Sequence, residues 1–212
     1  MLIPCPRVAD SAVDFANKHP DKYRDCAPQS LRQFWHGTEC MPVEGGHAMV
    51  GSAEEGLCFY TYYEDSDIFS TATEDDQKMW TLGDVAEFFV KPGLERADYW
   101  ELHITPNDFV MDIYIADRGK FQAGAITWDE VITHKSGATK RVEIADRHWS
   151  VELCIPWRAF AVDGIPSSGT TWQFAVCRYN YNNDLEKPEL SSTAQLTAPG
   201  FHRYEEFAGL VF

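Results

Sequence analysis

Period-two alternation constrains this chain more than any other feature. Leu57, Phe59, Thr61 and Tyr63 alternate with Cys58, Tyr60 and Tyr62. Phe109, Met111, Ile113 and Ile115 alternate with Val110, Asp112 and Tyr114. Trp149, Val151, Leu153 and Ile155 alternate with His148, Ser150, Glu152 and Cys154. Successive side chains of a strand point to opposite faces, so such runs describe antiparallel strands with one buried face. Trp172, Phe174 and Val176 mark a later strand, and Phe207 to Phe212 closes the sheet. Helical periodicity is nowhere sustained beyond ~12 residues, which argues against βαβ units and against Rossmann or barrel enzymes. The expected fold is all-β, a two-sheet antiparallel β-sandwich with an irregular N-terminal extension.

Turn chemistry divides the strands. Thr105-Pro106-Asn107-Asp108 reads as a tight turn, so Tyr99 to Thr105 and Phe109 to Ile115 are expected to form a hairpin. Pro156-Trp157-Arg158-Ala159-Phe160 opens on a proline after a strand and suits a single helical turn. Residues 1–30 read as the irregular extension, with one short helix over Ser11 to Asn17, and residues 31–212 as the sandwich. Glu186 to Ser192 is expected on the rim, because Pro188 disfavours a central strand.

The chain of 212 residues is long enough for one substantial core, and 14% aromatic content argues against disorder. Its 33 acids against 18 Lys plus Arg give a formal charge of -15, the wrong sign for a nucleic-acid footprint. Neutral glycans, cations and basic partners stay open. Cys58, Cys154 and Cys177 sit in apolar strand runs and read as small buried hydrophobes. A disulfide among Cys5, Cys26 and Cys40 stays open, since spacing does not fix connectivity. The opening residues Met1 to Arg7 have neither the apolar core nor the basic leader of a signal or anchor. The expectation is a cytoplasmic protein or a trimmed secreted one, without membrane partners. Its oligomeric state is not legible.

Alternation also places polar groups. Trp100, Leu102 and Ile104 share one face of their strand, and Glu101 and His103 share the other. On the preceding strand Val85, Glu87 and Phe89 oppose Ala86, Phe88 and Val90. If the two strands are neighbours, Glu87, Glu101 and His103 converge on the outer face of the sheet, with Asp112 and Tyr114 on a similar outward phase. A sugar site needs a flat ring for the apolar face of a pyranose and planar polar groups for its hydroxyls, the general make-up of a small-ligand site. Trp80, between Lys78 and Gly83, is the best ring, unless it folds back as a lid over the end of the sandwich. Trp100, Trp149 and Trp172 share phases with aliphatic residues and belong to the core. Arg178, Tyr179 and Asn180 are further candidates for hydroxyl contacts.

The stretch Trp80-Thr81-Leu82-Gly83-Asp84-Val85-Ala86-Glu87-Phe88-Phe89 resembles the W-x-x-(G/D)-D-x-x-E-(L/I/F)-F segment of family 9 carbohydrate-binding module-like domains. Tyr99 to Pro106, Trp149 to Trp157, Phe174 to Tyr179 and Phe201 to Leu210 agree in order. The resemblance spans about Leu31 to Phe212. It implies a sandwich that binds a terminal sugar between two tryptophans without cleaving it. Trp80 matches the first ring. The second falls at Phe201, with His202 beside it. The acid after the first ring matches Glu87, the family's basic residue falls at Glu101, and a polar position falls at His103. Exchanging a cationic donor for a carboxylate removes a strong hydroxyl partner. Some relatives carry structural calcium; the acidic loops Glu64-Asp65-Ser66-Asp67 and Glu74-Asp75-Asp76 hold suitable oxygens, though solvation explains them equally and no cofactor is required.

The expected function is therefore non-catalytic carbohydrate binding through Trp80, Glu87, Glu101, His103, Arg178, Tyr179, Asn180, Phe201 and His202. The alternative is a structural or protein-interaction sandwich that has lost the sugar site. Its mark would be Trp80 or Phe201 packed against the body of the domain. A glycoside hydrolase using Glu87 and Glu101 as a carboxyl pair is a weaker rival. A metal activity through His103, Asp112 and His148 is weaker again, because the chain has no HExxH or local ligand spacing.

Overall fold

The computed structural model describes residues 1–8, 20–37, 40–182 and 187–212. Its strands, in chain order, are β1 (Leu2–Pro4), β2 (Gln29–Ser30), β3 (Gly46–Ser52), β4 (Gly56–Glu64), β5 (Val85–Lys91) and β6 (Tyr99–Ile104). There follow β7 (Val110–Ile115), β8 (Thr139–Ala145), β9 (His148–Pro156), β10 (Thr171–Asn180), β11 (Glu189–Ser192) and β12 (Ala208–Val211). Two short helices, α1 (Arg118–Gln122) and α2 (Trp128–Val131), lie between β7 and β8. The expected all-β sandwich is what forms. One sheet runs β1-β12-β10-β5-β6-β7, with β11 also on β10, and the other runs β2-β3-β4-β9-β8. Among the described residues, every pair of these strands is antiparallel except β1 with β12.

The alternation read from sequence is what joins the sheets. Leu57, Phe59, Val151 and Leu153 from one meet Ala86, Phe88, Leu102, Phe174 and Val176 from the other in a single buried cluster. Phe59 meets Phe88 edge-on at 5.5 Å between ring centroids, a favoured aromatic geometry. Trp100, Trp149 and Trp172 are core residues, as their phases require. The hairpin over 99–115 forms, with Asp108 at φ 69 and its N–H donated to the Thr105 carbonyl at 3.0 Å. The single helical turn after Pro156 covers Trp157–Phe160.

Two features differ from expectation, the start of the chain and the phase of β7. Leu2–Pro4, inside the presumed irregular extension, adds a strand to the first sheet, while Val8, Tyr23 and Cys26 pack on Met49, Cys58 and Cys154. The helix expected over residues 11–17 lies outside the described residues. Cys5, Cys26 and Cys40 are free thiols, and so are Cys58, Cys154 and Cys177. Asp112 and Tyr114 do not face outward. Asp112 pairs across from Leu102 and Tyr114 from Trp100, which puts both on the inter-sheet side at the edge strand β7.

The outer face of the first sheet is not solvated. Met79, Val131, Ala194, Leu196 and Phe201, from the connecting segments, pack over Val85, Phe89, Met111 and Ile113 as a second buried cluster. This covering layer turns a sheet face into a pocket.

Candidate functional site

Register brings the acids together. Glu87 on β5 lies directly opposite His103 on β6, and Glu101 is two residues from His103 on the same face. His103 Nε2 is 2.7 Å from Glu101 Oε1 and 3.2 Å from Glu87 Oε1. The three residues are 3%, 3% and 1% exposed, so they form the floor beneath the covering layer and not an open face. Over them lies a cavity of about 190 Å³, walled by Trp80, Trp128, Tyr179, Phe201 and His202.

Burial pushes the Glu87 carboxyl up to about 8, with the nearby Glu101 adding to the effect and His103 opposing it. Burial acts on Glu101 in the same direction, but His202 and His103 outweigh it and hold that carboxyl below its ordinary value. Burial would depress His103, yet Glu87 and Glu101 together raise it. Glu87 is thereby biased towards its neutral form and Glu101 towards its carboxylate. A neutral carboxyl can donate as well as accept, which suits it to a hydroxyl partner. Two buried atoms, Glu101 Oε2 and His103 Nδ1, have no hydrogen-bond partner.

Trp80 sits on a 3-10 turn, Met79–Thr81, anchored by the buried Met79. The chain leaves that turn through Gly83 at φ +133, where a Cβ would stand 2.5 Å from the Phe69 carbonyl oxygen. Only glycine meets both demands without strain. Asp84 then accepts the N–H groups of Phe69 and Tyr181, each at 2.8 Å, and the Tyr181 hydroxyl donates to the Trp80 carbonyl. The tryptophan is thus fixed from both sides. Its ring meets His103 at 5.5 Å and Trp128 at 5.3 Å, both edge-on.

Trp128 is the residue sequence reading missed. It opens α2, whose start is a capping box: Thr127 Oγ1 accepts the Glu130 N–H, and Glu130 accepts the Thr127 N–H at 2.7 Å. The spacing Thr127-Trp128-Asp129-Glu130 carried that signal.

The opposite wall comes from residues 197–206. Phe201 is 5% exposed and packs edge-on to Phe89 and Tyr179, so it presents little ring to the cavity. His202 Nδ1 lies 2.9 Å from the Tyr99 hydroxyl and 3.5 Å from Glu101 Oε2. Glu206 braces this wall, accepting from Thr197 N–H at 2.6 Å and from Arg203 Nε at 3.0 Å. Those bonds, Arg203 first and with burial opposing, pull Glu206 down to about 2. A carboxylate depressed by folding contributes stability above its ordinary value of 4.5 and loses it as pH falls through that value towards 2. Glu206→Gln should therefore lower the thermal midpoint at pH 7, with the gap to wild type closing between pH 4.5 and 2. A gap that stays constant over that range would contradict this role.

Of the nine expected site residues, Trp80, Glu87, Glu101, His103, Tyr179, Phe201 and His202 meet around the cavity. Arg178 and Asn180 do not. Cys177 pairs with Glu87, so Tyr179 shares the outward phase and Arg178 and Asn180 turn inward. Arg178 is 0% exposed and donates to Asp65 at 2.8 Å, to the Glu64 carbonyl and to Asn180 Oδ1. The two acidic loops have protein partners as well: Asp65 holds Arg178, Asp75 takes the Val110 N–H, and Asp76 pairs with Lys135. Asp112 is bound by Ser136, and His148 packs tilted against Tyr62 in the other sheet, so neither joins His103.

No protein-family model matches the chain, and no curated protein matches it by sequence. Solved structures do. The fold is that of family 9 carbohydrate-binding modules. A module of this family from Caldicellulosiruptor kristjanssonii in complex with cellotriose superimposes with a TM-score of 0.70 at 10% identity, covering 100% of this chain and 93% of that one. The same organism's module in complex with glucose gives 0.69 at 10% identity, covering 100% and 95%. A candidate carbohydrate-binding protein from Bacteroides uniformis gives 0.72 at 14% identity, covering 100% and 98%.

Proposed function

We propose that this protein is a non-catalytic carbohydrate-binding module that takes a terminal sugar into the cavity over Glu87, Glu101 and His103. The observation that carries the reading is the pairing of fixed aromatic walls, Trp80 and Trp128, with a polar floor in one cavity of about 190 Å³. That volume is below the ~300–1,000 Å³ of sites for drug-sized ligands, which favours one ring over an extended chain. The fold supports the same reading, since the modules it resembles were solved with cellotriose and glucose. Glu87 and Glu101 serve hydroxyls from the floor, and His202 and Tyr179 border the mouth.

One observation favours a second reading, an interaction sandwich that has lost its sugar. Phe201, where the family resemblance sets a clamping ring, is packed against Phe89. A glycan array followed by calorimetry separates the two. Saturable binding is expected in wild type, with Trp80→Ala weakening it at least tenfold, about 1.4 kcal/mol, while the circular dichroism of the variant stays native. Absence of binding across a broad array would leave the interaction reading in its place.

A further inference from the structure

We infer that Glu87, Glu101 and His103 form a binding site for a first-row divalent cation, zinc by its donor set, with an open coordination position facing the cavity. One nitrogen and two carboxylate oxygens lie within 4.8 Å of one another, the only such grouping among the described residues. His103 Nε2 stands 2.7 and 3.2 Å from its two carboxylate neighbours. Donors about 2.0–2.2 Å from a tetrahedral zinc lie a little over 3 Å apart, so a slight opening of the shorter contact admits the ion.

The cluster is incompletely satisfied without a cation. A single N–H cannot point squarely at two oxygens, and His103 Nε2 faces one on Glu87 and one on Glu101. The second oxygen of Glu101 is buried, has no hydrogen-bond partner and lies 3.5 Å from His202 Nδ1 on the cavity wall. Buried polar atoms are nearly always paired, so an unpaired one at the foot of a cavity points to a ligand. Among the described residues, no Lys or Arg lines this cavity. Imidazole with carboxylate suits zinc among the common divalent ions, whereas calcium prefers six or more oxygens. Three protein ligands under an open cavity match the zinc sites that keep one position for an exogenous oxygen.

The site shares its cavity with the proposed sugar but does not depend on it, so the test contains no glycan. Untagged full-length chain, stripped with chelator, is titrated with zinc by calorimetry, and bound metal is counted by elemental analysis. One zinc per chain is expected, with at least tenfold weaker binding in His103→Ala and in Glu87→Gln/Glu101→Gln. Cobalt substitution of wild type should give the intense visible absorption of a low-coordinate site, a readout that needs no variant to fold. Zinc binding undiminished by His103→Ala in a folded protein, or a cobalt spectrum like that of the hydrated ion, would overturn the assignment. The glycan array run with chelator and with zinc then reports on the sugar separately.

Discussion

Replacing Arg178 with alanine is expected to remove about 3–5 kcal/mol of folding stability, the usual consequence of orphaning one member of a buried ion pair. Arg178 is fully buried on the inner face of β10, and Asp65, its partner at 2.8 Å, is equally buried. Burial already pushes the Asp65 carboxyl above its ordinary value while the guanidinium pulls it down. Without Arg178 that carboxyl keeps the Trp149 indole N–H at 3.1 Å and the Asp67 N–H at 2.9 Å, but no counter-charge. The double variant Arg178→Met/Asp65→Asn removes both charges and leaves an amide oxygen for one of those two donors, so it should recover part of the loss. Urea denaturation of wild type, the single and the double variant measures this directly. A loss below about 1 kcal/mol in Arg178→Ala, no more than an average substitution, would mean that the network is not what closes this end of the sandwich.

Phe88→Ala should cost a similar amount, about 3–5 kcal/mol, because it empties a large ring from a fully buried position. The ring lies between the sheets against Phe59, on the side of β5 opposite Glu87 and Phe89. Strand geometry therefore separates its effect from the cavity. The variant should show a lower denaturation midpoint while its folded fraction binds sugar as wild type does, since effects at sites without shared partners add. Weakened sugar binding in fully folded Phe88→Ala would show that inner packing sets the height of the acidic floor.

The contrast between these two residues marks what was legible in the sequence. Phe88 declares itself: it alternates with Glu87 and Phe89, and the period of two assigns it to the core. The convergence of Glu87, Glu101 and His103 was legible for the same reason, needing only that β5 and β6 be neighbours. Arg178 was misplaced because its charge suggested exposure, although its position between Cys177 and Tyr179 set its direction. Alternation was the better guide than polarity. Asp112 failed similarly, since an acid on an edge strand can turn inward when Ser136 meets it. The covering layer left no periodic signal. It is assembled from loops and two short helices, whose contacts depend on tertiary approach, and so the burial of the floor and the part of Trp128 stayed hidden. The capping box at Thr127 announced a helix start, but not which surface its first side chain would reach.

The pairing of β1 with β12 carries a consequence for how the chain reaches this shape. Leu2 lies beside Gly209 and Pro4 beside Val211, so β1 is paired with a strand from which all the other strands separate it in sequence. Until those residues leave the ribosome, β1 has no partner and the margin of the larger sheet stays unfinished. Closing contacts between distant parts of a chain is slow, because the entropy of the intervening loop must be lost first. Completing this sheet therefore requires β1 to meet β12, and a chain held short of that would present an unguarded edge to its neighbours.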